Sequence, residues 1–159
     1  MPTFGLPKSI DDIQEIEPLP EDWYKLRVSE EPELAPNKKA NAGLSIEEGA
    51  GENMIIKFRS NTDDEKTTGR AFTLWLSWPN EADKEKETKL GQTYEDFKLD
   101  QICAVAAALM GVAKADLTGD EITIEPGMEA YFYIESVARD DGEGFFNRIN
   151  TNMTPRIVE

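Results

Sequence analysis

The chain has 159 residues, with 17 Lys and Arg against 32 Asp and Glu, no histidine and a formal net charge of −15. That length predicts one domain with a core of ordinary size. The absence of histidine excludes Ser-His-Asp and Cys-His nucleophile systems and histidine-ligated zinc, and the lone Cys103 excludes an internal disulfide or a thiolate cluster.

Apolar residues make up 39% of the chain and aromatics 9%, enough for a folded body, while 31% charged residues predict a soluble one; mean hydropathy is −0.54. The longest apolar run, Ile102–Val112, falls short of the ~18–20 residues that cross a membrane. The opening MPTFGLPKSIDDIQEIEP has no basic start before an apolar core, so no secretory signal is read and a cytoplasmic location is expected. No G-x-x-x-x-G-K-[ST] or helix-opening G-x-G-x-x-G occurs. The carboxylates fall mostly in predicted loops without ligand spacing; Asp63, Asp64 and Glu65 lack the pattern of a calcium loop. No enzyme activity, cofactor or metal is therefore expected.

Residues 1–22 read as an acidic, proline-containing lead-in whose Ile10, Ile13 and Ile16 touch the body, and residues 23–159 as the single domain. The first strand, Trp23–Glu30, alternates Tyr24, Leu26 and Val28 against Trp23, Lys25, Arg27 and Ser29. A polar loop, Glu31–Asn53, carries Lys38 and Lys39. The second strand, Met54–Arg59, sets Met54, Ile56 and Phe58 against Ile55, Lys57 and Arg59. The third, Arg70–Trp78, sets Phe72, Leu74 and Leu76 against Ala71, Thr73, Trp75 and Ser77, and Pro79 ends it. After the mixed charge run Glu81–Lys89, the period becomes helical over Thr93–Gly111, with an apolar stripe of Tyr94, Phe97, Ile102, Val105, Ala106 and Leu109. Thr93 suits the N-cap and Gly111 the left-handed C-terminal position, and Cys103 is expected in the core beside that stripe. Ile122 and Ile124 in the connector Lys114–Pro126 suggest a brief pairing. A fourth strand, Met128–Val137, turns through Asp140–Gly144 into a fifth, Phe145–Thr151.

The predicted class is thus mainly β with one helix, in the order β-β-β-α-β-β. This is the element order of an OB-fold, a five-stranded, partly open barrel that binds oligonucleotides or oligosaccharides. Acids crowd the lead-in and loops, while the strand faces opposite the apolar ones carry Lys25, Arg27, Lys57, Arg59 and Arg148 among Trp23, Trp75, Tyr131 and Tyr133. That mixture suits single-stranded nucleic acid, in which phosphates take the cations and unpaired bases stack on rings at ~1–3 kcal/mol each.

The segments LPEDWYKLRVSEEPELAPNKKANAG, LWLSWPNE, DQICAVAAALMGV and FFNRINTNMTP resemble a phage-encoded family of single-stranded DNA-binding and recombination-accessory proteins. The resemblance implies an OB-like barrel that coats single-stranded DNA during phage replication or recombination, in the host-cell cytoplasm. It carries over Trp23, Lys25 and Arg27 from the first strand and Trp75 and Trp78 from the third. The chain ends TPRIVE where many such proteins end in an acidic, partner-recruiting tail, so recruitment of replication or recombination proteins would fall to Glu81–Glu87 or the lead-in.

The expected function is therefore non-enzymatic binding of single-stranded DNA. Trp23, Trp75 and Tyr131 or Tyr133 would stack, Lys25, Arg27, Lys57, Arg59 and Arg148 would hold phosphates, and Lys38 and Lys39 would assist from the loop. Self-association is left open. The net charge opposes this reading at long range and favours a different class: an acidic adaptor or DNA-mimic inhibitor with its strand aromatics in the core. A carbohydrate-binding barrel would use the same aromatics without the cations.

Overall fold

The computed structural model describes every residue except 1, 14–16, 37–50, 141, 143 and 159, and it also leaves the side chains of 81 and 82 undescribed. The strands are β1 (Asp22–Val28), β2 (Glu33–Pro36), β3 (Glu52–Ser60), β4 (Ala71–Trp78), β5 (Glu129–Ala138), β6 (Phe145–Ile149) and β7 (Arg156–Ile157), and the one α-helix, α1 (Tyr94–Met110), lies between β4 and β5. All seven strands join one open antiparallel sheet, where five were expected. β4 lies along one edge of β3, while β1 and β2 share the other. β5 follows β1, and β6 and β7 share the far edge of β5. The outermost strands β4 and β6 approach each other, but no ladder closes them into a barrel.

The two unpredicted strands lie where periodicity cannot reveal them. β2, ELAP, falls inside the stretch read as a polar loop; it pairs with residues 52–55 of β3 and ends at Pro36. Only one edge of so short a segment is paired, so a proline at its end removes no ladder bond. β7 is two residues long, and two residues carry no alternation. Ile122 and Ile124 form no strand and instead pack against the core.

Alternation does set the core. Leu26, Val28, Ile56, Phe58, Phe72, Leu74, Leu76, Phe132 and Ile134 are buried on the inner face, and the Phe58 and Phe132 rings meet at 4.9 Å and 54°. Each such side chain contributes about 1.5–3 kcal/mol on burial. The helix is capped as expected. Thr93 Oγ1 accepts the Asp96 N–H at 3.1 Å, and Gly111, at φ 75°, donates to the Ala107 and Ala108 carbonyls. Its apolar stripe is shorter than expected. Ile102, Val105 and Ala106–Leu109 are buried, but Tyr94 and Phe97 are 39% and 45% exposed, and Cys103 is half-buried outside the core cluster. Only the C-terminal half of α1 is covered by the sheet, so helical spacing overstates the buried face.

The lead-in is anchored near its end. Leu19 is 2% exposed and sits in the core, whereas Ile10 and Ile13 are exposed and Ile16 lies outside the described residues. Asn147 on β6 clamps the Leu19 backbone: its Oδ1 accepts the Leu19 N–H at 2.7 Å, and its Nδ2 donates to the Leu19 carbonyl at 3.0 Å. Tyr24 donates its hydroxyl to the Pro20 carbonyl at 2.8 Å. Burial, aided by the charge of Asp22 and opposed by Arg70, raises the Tyr24 pKa.

Among the described residues, Asp83 is the one buried charged side chain. Lys98 on α1 donates to its Oδ2 at 2.8 Å, as does the Asn80 N–H at 2.8 Å. Burial pushes its pKa up, but the Lys98 and Asn80 hydrogen bonds and the charges of Lys98 and Lys86 outweigh it, and the net direction is down. A depressed carboxyl pKa stabilises the fold above the unfolded value of about 3.9, and the stabilisation is lost as pH falls through the native value. Asp83→Asn is expected to lose about 1–3 kcal/mol at neutral pH. Urea unfolding should show that difference shrinking in acid; a difference independent of pH would assign it to packing.

Candidate nucleic-acid interface

Residues of opposite parity to the core line the outer face of the sheet. On β1 and β5, Trp23 is opposite Tyr133 and Lys25 is opposite Tyr131. The Trp23 and Tyr133 rings meet edge to face at 5.6 Å and 76°. On β3 and β4, Ile55 is opposite Trp75, Lys57 opposite Thr73 and Arg59 opposite Ala71. Trp75 is 60% exposed in mid-strand. The two groups meet where Arg27 of β1 faces Arg59 of β3. The structure therefore brings Trp23, Lys25, Arg27, Lys57, Arg59, Trp75, Tyr131 and Tyr133 onto one continuous face.

Two expected members stand apart. Trp78, named through the resemblance, shares the parity of Phe72, Leu74 and Leu76 and is half-buried against the core, so it lies apart from the outer-face group. Arg148 reaches the outer face at the β5–β6 hairpin, opposite Glu135, with which it forms an ion pair. Lys38 and Lys39 lie outside the described residues.

The cations differ in their engagement. Arg27 pairs with Glu129 at 3.5 Å and Lys57 with Glu30 at 3.4 Å. The Lys57–Glu30 pair is largely exposed, and such pairs are worth about 0–1 kcal/mol, so an incoming phosphate can displace that carboxylate. Glu129 is more buried and also accepts a hydrogen bond from Asn61 Nδ2 at 2.5 Å, so Arg27 has the more firmly held partner. Arg59 donates to the Gly69 carbonyl at 3.0 Å. Among the described residues, no carboxylate lies within ion-pair reach of Lys25 or Arg59. The like-charge facing of Arg27 and Arg59 is relieved by the Glu129 carboxylate and the Gly69 carbonyl.

Arg156 was not foreseen. Its guanidinium lies 3.9 Å above the Trp23 ring, and β7 places it directly opposite Tyr131. The only sequence signal was a cation following Pro155 near the end of the chain, with no periodicity to assign it a face. The acids Asp63–Glu65, by contrast, have a local explanation: Asp64 Oδ1 accepts the Lys66 N–H at 2.9 Å, and its carbonyl accepts the Thr67 and Thr68 N–H groups. Asp64 builds the turn, and among the described residues no acid or cysteine cluster is arranged to hold a metal. No described helix is long and apolar enough to cross a membrane.

No family model matches the chain, and no curated protein matches it.

Proposed function

We propose that the protein binds single-stranded DNA on the outer face of an OB-like barrel, without catalysing a reaction, and serves phage DNA replication or recombination in the host-cell cytoplasm. The barrel reading is supported by the strand order β4-β3-β1-β5-β6, by a helix between β4 and β5, and by the approach of β4 to β6. OB barrels are partly open and bind oligonucleotides on the face of their second and third strands, here β3 and β4. The observation that carries the function is Trp75, an exposed tryptophan in the middle of β4 and two strand positions from Thr73, the partner of Lys57. Rings and cations then continue across β1 and β5.

A second reading, an acidic adaptor or DNA mimic, is favoured by the net charge and by the pairing of Arg27, Lys57 and Arg148 with Glu129, Glu30 and Glu135. Titration with short oligo-dT at low and moderate salt, followed by tryptophan emission, separates the two. Strand binding gives salt-sensitive quenching with duplex DNA much weaker. Absence of any response at low salt rejects it in favour of a protein partner.

A further inference from the structure

A groove of about 660 Å³ lies between the C-terminal half of α1 and β7. Trp23 and Tyr131 form aromatic walls, Ala104 and Ala108 lie on the helix side, and Lys114 and Arg156 supply cations. Its volume falls within the ~300–1,000 Å³ usual for small-ligand sites. It is continuous with the outer face, because Trp23 and Tyr131 belong to both.

We infer that this groove holds one nucleotide of the bound strand, its base against Trp23 and Tyr131 and its phosphate on Arg156. The inference rests on the strand-binding reading above and adds a pocket to its open face. Two observations point to a nucleotide. The guanidinium on Trp23 shows that the ring offers a face to a planar group, and a base has the same shape requirement. Arg156 is exposed and held by a two-residue strand, so it is free to leave the ring for a phosphate as the base takes its place. Lys114 adds a second cation; its pair with Asp100 at 2.5 Å is half-exposed on both sides and so weakly held.

The test titrates the full chain with dT of about 12 residues, within the site sizes of such barrels, and compares two groove variants with Trp75→Ala. Ala104→Phe fills the groove, and Arg156→Ala removes the exposed cation without entering the core. Each groove variant is expected to weaken binding by about tenfold, and Arg156→Ala should also lower the salt slope by about one. Thermal unfolding should stay close to wild type for Arg156→Ala, which keeps the test meaningful if Ala104→Phe folds poorly. Groove variants that bind like wild type while Trp75→Ala is weakened would overturn the nucleotide pocket and leave the strand-binding reading intact. Wild-type protein that ignores dT would remove both. Variants that keep dT affinity but lose binding to a poly-glutamate peptide would reassign the groove to protein docking.

Discussion

Replacing Phe58 with Ala is expected to remove about 3–5 kcal/mol of folding stability, a large part of the ~5–15 kcal/mol that holds a typical domain. Phe58 lies on β3 between Val28 of β1 and Phe72 of β4, and its ring packs on Phe132 of β5. It thus joins strands on both sides of β3 to the far half of the sheet. At 1% exposure its removal leaves a cavity that neighbouring strands, fixed by their ladders, fill only in part. Phe58→Leu, which keeps most of the volume, should cost clearly less. Urea unfolding of the two variants decides the point: a loss below about 1 kcal/mol for the alanine variant would mean that the core collapses around the site.

Strand periodicity made this core legible because each long strand buries one face and wets the other. Leu26, Ile56, Leu74 and Phe132 all fell where alternation placed them. The same parity argument put Lys25, Lys57 and Trp75 on the face opposite the core, whereas Trp78, named only through the resemblance, packs against the core. Alternation fails for segments shorter than its own sampling length, which is why β2 lies inside the stretch read as a polar loop and the two residues of β7 give no strand signal. Helical spacing failed for a different reason. Tyr94 and Phe97 continue the stripe in sequence, but the sheet covers only the C-terminal half of α1, and contact area is decided by tertiary placement. Asn147 and Arg156 were missed because their partners, the Leu19 backbone and the Trp23 ring, lie more than a hundred residues away.

Trp75→Ala is expected to weaken binding to single-stranded DNA by about 1–3 kcal/mol, the value of one stacked base, while leaving folding stability nearly unchanged. The two effects separate because the side chain points away from the core and is mostly exposed, so truncation opens no cavity. Its neighbours on the same face act through charge. Arg59→Gln should reduce the slope of log affinity against log salt by about one, since one fewer counterion is released. Lys57→Gln should do so less, because Lys57 must first part from Glu30. In Glu30→Gln protein the Lys57 contribution should therefore rise toward that of Arg59. Oligo-dT titrations at several salt concentrations measure all of these slopes. Unchanged affinity in Trp75→Ala with unchanged slopes in both cation variants would take β3 and β4 out of the interface and leave the β1–β5 half, with Trp23 and Tyr131, to carry any binding observed.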